Sequence, residues 1–77
     1  MTKEKKRELF LEHARKLFAK ALDVWDDDFE KVLRFLTKPN RALPHDRAPL
    51  MEVWHDGQKG LERVLNLLGR IEHGIYS

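Results

Sequence analysis

Residues 56–74 read DGQKGLERVLNLLGRIEHG, and the parsing of this run decides the fold. Leu61, Val64, Leu65, Leu68 and Ile71 recur three and four residues apart, which places them on one face of an α-helix. Asp56 stands where such a helix needs a side-chain cap. Gly74 stands where its last turn can leave in the left-handed conformation. Gly60 and Gly69 fall inside the pattern without ending it. A helix-interior glycine costs about 1 kcal/mol relative to alanine, so each one points to a close neighbour. The expected neighbour of Gly60 is the preceding helix, and the sharper alternative is a partner element lying across Gly69.

A helix with one apolar face must bury it, and the upstream sequence supplies the means. Pro49 can occupy the first position of a short helix through Leu50, Met51, Val53 and Trp54, because its missing N–H is not needed there. Before it, the run KPNRALPHDRAP (38–49) holds three prolines, an asparagine and an aspartate, the composition of a turn-rich loop. Phe29, Val32, Leu33 and Leu36 mark the inward face of another helix, which ends near Thr37 because Pro39 disfavours helix in the residue before it. The aspartates between 23 and 28 are read as a loop and N-cap. A Mg²⁺ or Ca²⁺ site would need further oxygen ligands at defined spacing, and the sequence offers none.

The first helix, over residues 3–22, carries Leu9, Phe10, His13, Ala14, Leu17, Phe18, Ala21 and Leu22 as one stripe, with Thr2 as its cap. No strand-type alternation appears. The expected architecture is all-α, a small bundle of four helices with the third very short, in a single domain. Tryptophans 25 and 54 sit beside loops and are read as mainly core.

The 77 residues lie near the lower size for independent folding, where a core supplies roughly 3–5 kcal/mol. There is no cysteine, so neither disulfides nor thiolate metal sites contribute. Fifteen Lys and Arg against thirteen Asp and Glu give a net charge of +2, too mild to imply nucleic acid. The one basic concentration, Lys3, Lys5, Lys6 and Arg7, reads as a solvated first turn. His13, His45, His55 and His73 do not follow zinc-site spacings, and His13 is expected as a boundary residue of the core. The single serine, Ser77, is a poor place for a held nucleophile, and no phosphate-binding loop or catalytic constellation is evident. The reading is a protein that is not an enzyme, with no cofactor and no metal. The absence of a long apolar run or signal sequence leads to the expectation of a cytoplasmic protein.

From residue 29 onward the order of motifs resembles the toxin-binding domain of Xre/MbcA/ParS-type antitoxins. Phe35 and Leu36 before the Pro39-Asn40 turn and Leu43 match one part, and the Pro49-Leu50 helix start matches the next. Gly60, Val64, Leu68, Arg70, Ile71, Gly74, Ile75 and Tyr76 fall on the last, an Arg-Ile-x-x-Gly-hydrophobic-Tyr run that ends the pattern. The resemblance covers about residues 21–77. It divides the chain into an N-terminal helix (1–22) and a toxin-binding unit (23–77), packed together.

The resemblance implies a type II antitoxin. Its partner would be a RES- or ADP-ribosyltransferase-like toxin, whose NAD-binding cleft is obstructed by the C-terminal helix and tail. Carried over by position, the contact residues are Arg70, His73, Gly74, Ile75, Tyr76 and Ser77. Most relatives also carry an N-terminal helix-turn-helix domain. Here the preceding residues form one helix, which puts DNA binding in doubt. Two other classes stand beside this reading. A small DNA-binding regulator would use the Lys3–Arg7 cluster. A homo-oligomeric helical domain would use the broad stripe at Leu9, Phe10, Leu11 and Leu17.

Overall fold

Thr2 opens the first helix. Its hydroxyl accepts the Lys5 N–H at 3.2 Å, and α1 runs from Lys3 to Val24 without interruption. The computed structural model describes residues 2–74; Ile75, Tyr76 and Ser77, read above as tail contacts, lie outside them. Asp28 begins α2 (Phe29–Thr37), its carboxylate accepting the Lys31 N–H at 3.3 Å, as the capping reading expected. The loop behind α2 is ordered by Asn40. Its side-chain oxygen accepts from Ala42 N–H at 2.9 Å, its carbonyl accepts from Leu43 N–H, and its own N–H donates to Arg47 O. A single 3₁₀ turn over Pro44–Asp46 leads to α3 (Pro49–Glu72).

The four-helix expectation needs correction. Among the described residues there are three α-helices, and the last two expected helices are the two arms of α3. The arms join at Gly57, whose backbone sits at φ 57° and ψ −129°, a conformation closed to residues with a Cβ. Asp56 does not serve as the expected cap, because its carboxylate is taken by the Arg63 side chain. Ala48 offers no side-chain cap to the first arm either, and its carbonyl accepts Glu52 N–H at 2.9 Å.

The bend folds the arms onto each other, and Gly60 is where they touch. A Cβ on Gly60 would run into the backbone carbonyl of Glu52 and lie 3.1 Å from the Cα of Val53. The packing expected of Gly60 is therefore present. Around this contact, Leu17 and Ala21 of α1, Val32 and Leu36 of α2, Leu43 of the loop, and Val53, Leu61, Val64, Leu67 and Leu68 of α3 form the core. The inward list for α2 was too generous. Phe29 is 52% exposed and Leu33 38%, because α2 meets the other helices along one narrow face, that of Val32 and Leu36. Phe29 instead stacks on Phe18 at 6.2 Å between ring centroids. Leu11 is exposed as well, while Leu67, absent from the expected inward set, is buried.

Candidate protein-binding site

The candidate surface is the far end of the second arm of α3, and its position depends on how that arm is held. At the bend Glu52 is fully buried, a rare state for a carboxylate unless it is paired. Arg63 donates to its Oε2 at 2.6 Å from the second arm, and Arg47 donates to its Oε1 at 3.3 Å from the loop. Asp56 extends the cluster by accepting from Arg63 and lying 3.6 Å from Arg47. Loop, first arm and second arm are thus tied through one buried carboxylate. At the other end Lys20 of α1 pairs with Glu72 at 2.7 Å, which fixes the end of the arm against α1.

These pairs shape the pH response. The hydrogen bond from Arg63 holds the Asp56 carboxyl below its ordinary range, against a smaller opposing effect of desolvation, and Lys20 does the same for Glu72. A carboxyl whose folded pKa is depressed adds stability above its unfolded pKa and loses it as pH falls through the lower folded value. The unfolded values lie near 4. The thermal midpoint is therefore expected to stay flat from neutral pH down to about pH 5 and to fall below about pH 4. The decline should be shallow, since both pairs are solvent-exposed. Asp56→Asn should flatten the acid limb in a pH series of melting curves.

Beyond Glu72 the chain ends its helix as expected. Gly74 takes φ 76°, its N–H donating to Ile71 O at 3.1 Å, and His73 N–H donates to Gly69 O at 3.1 Å. Arg70 and His73 are exposed, and the Arg70 guanidinium has no carboxylate partner among the described residues. A Cβ at Gly69 would meet nothing within 4 Å. Beside this end lies a shallow hollow of about 440 Å³ lined by Phe35, Asn40, Arg41, Ala42, Leu67 and Ile71.

Arg70, His73 and Gly74 thus fall within one turn of the helix end, while Ile75, Tyr76 and Ser77 lie outside the described residues. Of the motif positions, Leu43, Pro49, Gly60, Val64 and Leu68 are buried and Leu50 and Asn40 half-buried, so they build the scaffold. Pro39 is exposed. Sequence reasoning missed Glu52. Its only signal was its place in the first turn after Pro49, beside the apolar Val53.

Over 57 residues the chain is 37% identical to Antitoxin Xre of Photorhabdus laumondii subsp. laumondii. The matched stretch is 74% of this chain and 36% of that protein, so the chain spans about a third of its relative's length. No family model matches the sequence, and no solved structure does. No helix among the described residues is long and apolar enough to cross a membrane. In sequence, this chain is similar to part of an Xre antitoxin.

Proposed function

We propose that this protein is an antitoxin that binds and neutralises a cognate toxin. The observation that carries the proposal is the 37% identity to Antitoxin Xre over 57 residues, the greater part of this chain. The toxin is of the RES- or ADP-ribosyltransferase-like class. It is inhibited by occupation of its NAD-binding cleft, and the occupant is the end of α3 with the residues that follow it. Residues 23–77 form the binding unit, and α1 serves as its buttress. Neutralisation is stoichiometric and requires no chemistry from the antitoxin.

The geometry supports this reading at three points. The buried Glu52 carboxylate ties the second arm to the first arm and the loop, so less ordering entropy is lost when its end enters a cleft. Arg70 presents a guanidinium with no carboxylate partner among the described residues, suited to pair with a carboxylate of the partner. Gly74 stops the helix at φ 76°, and Tyr76, two residues on in the sequence, is a large side chain with a polar tip, a common anchor type.

The test is co-expression with the toxin encoded beside it. A chain ending at His73 should keep its helical circular dichroism and melting midpoint, yet fail to rescue growth and fail to co-purify with the toxin. Full rescue by that shortened chain would refute the role of the tail. Arg70→Glu in the full chain should weaken binding by about tenfold or more, as reversal of an interfacial charge does.

A further inference from the structure

The hollow beside the end of α3 joins an apolar floor to surroundings of a single charge sign. On the floor, Leu67 is 2% exposed, and Phe35 and Ile71 are half-buried. The walls are already in place. Trp25 packs on Phe35 at 5.1 Å between ring centroids, and Asn40 holds the loop wall through its bonds to Ala42 N–H and Leu43 N–H.

Residues 31–45, which supply the α2 wall and the loop wall, include Lys31, Arg34, Lys38 and Arg41 and neither Asp nor Glu. Lys31 lies one helical turn before Phe35 and Lys38 three residues after it, while Arg70 lies three residues after Leu67, so these cations flank the floor. Arg41 lines the hollow itself. None of the five has a carboxylate partner among the described residues. The neighbouring acids stand elsewhere. Glu30 and Asp46 bound the stretch without lining the hollow, Asp28 caps the far end of α2, and Glu72 is held by Lys20. Arg34 and Arg70 occupy last turns, where a cation complements the helix carbonyls. Lys31 and Arg41 have no such task, since Lys31 stands in a first turn and Arg41 in the loop.

We propose that the hollow receives one apolar side chain from an acidic segment of the toxin. The side chain meets Leu67, Phe35 and Ile71, and carboxylates beside it pair with Arg41, Lys38 and Arg70. The identity of the partner rests on the antitoxin reading, whereas the chemistry of its segment rests on the hollow. Nucleic acid would pair with the same cations but leave the apolar floor unused, and the Phe35 ring is covered by Trp25 rather than offered to a base.

The first experiment is an NMR titration of the full chain with a capped peptide of aspartate and glutamate around one central leucine. The Leu67 and Ile71 methyl groups and the Ala42 amide should shift. The Trp54 indole N–H, in the recess between α1 and the first arm of α3, should stay still. Arg41→Glu should weaken the peptide about tenfold. The proposal is overturned if the methyl groups do not move at saturating peptide, or if a peptide with serine for leucine, or lysine for the acids, binds equally well. Tighter binding of oligothymidine would overturn it too. The second experiment is co-expression with the toxin encoded beside this chain, where Arg41→Glu should keep its melting midpoint but lose rescue. Equal rescue by the full chain and by Arg41→Glu would overturn the toxin contact at the hollow and leave the antitoxin reading standing. Failure of the full chain to rescue would refute that reading, and with it the toxin as occupant.

Discussion

Gly60→Ala and Gly69→Ala, the same substitution in the same arm of α3, are expected to change stability in opposite directions. At Gly60 the added methyl meets the Glu52 carbonyl and the Val53 Cα, which are backbone atoms of the facing arm and cannot turn aside as a side chain would. Relief requires opening the bend, and the bend carries Leu61, Val64 and Val53 into the core. Overpacking of this kind costs typically 1–3 kcal/mol and sometimes more, offset in part by about 1 kcal/mol of helix propensity. With backbone rather than side-chain atoms in the way, the upper end applies, and we expect a net loss of about 2 kcal/mol, a large part of the roughly 3–5 kcal/mol that a core of this size supplies. At Gly69 nothing lies within 4 Å and the backbone is helical, so alanine should add about 0.5–1 kcal/mol. Urea denaturation reads both changes as shifts of midpoint at constant slope. If a toxin element lies across Gly69, the stabilised variant should also neutralise less well. That divergence between stability and binding would separate a contact glycine from a merely tolerated one.

What could be read from the sequence divides along the range of the interactions concerned. Thr2, Asp28 and Gly74 act on backbone groups three or four residues away, so their capping roles follow from local pattern alone. The stripe of α1 and the buried face of Val64 and Leu68 follow from periodicity. The bend at Gly57 was half legible. Asp56 was read as the cap of a separate last helix, which marks the place of the break, but only the three-dimensional contact at Gly60 shows two helices in series to be one bent helix. Phe29 and Leu33 were misplaced because α2 has less to pack against than its apolar content suggests. The recess between α1 and the first arm depends on how two distant helices cross, which no local pattern encodes. Of the candidate contact surface, Arg70 and His73 came from resemblance rather than physics, and both are exposed.

Replacement of Glu52 is the second change with a large expected effect, and its outcome depends on which partner is left without water. Glu52→Gln keeps the shape but removes the charge. Its amide can accept from one guanidinium only by turning its own N–H groups toward the other, so one of Arg47 and Arg63 loses its acceptor. Hydrogen bonds to charged groups contribute about 1.5–3 kcal/mol, and a loss of about 2 kcal/mol is expected. Glu52→Met removes the acceptor altogether but orphans only side chains that reach solvent, since Arg47 is 27% and Arg63 43% exposed. Both can swing outward, and an apolar group of similar volume suits the buried space, so this variant should lose no more than about 1–2 kcal/mol. Arg63→Ala does the reverse. It leaves a carboxylate with no access to water facing Arg47 alone at 3.3 Å, and should be the most damaging of the three. The order Arg63→Ala, then Glu52→Gln, then Glu52→Met in denaturation midpoints would show that the buried charge, rather than the number of ion pairs, governs the bend. Because the second arm aims the candidate contact residues, the proposed toxin neutralisation should fail in the same order when all three variants are co-expressed at one raised temperature.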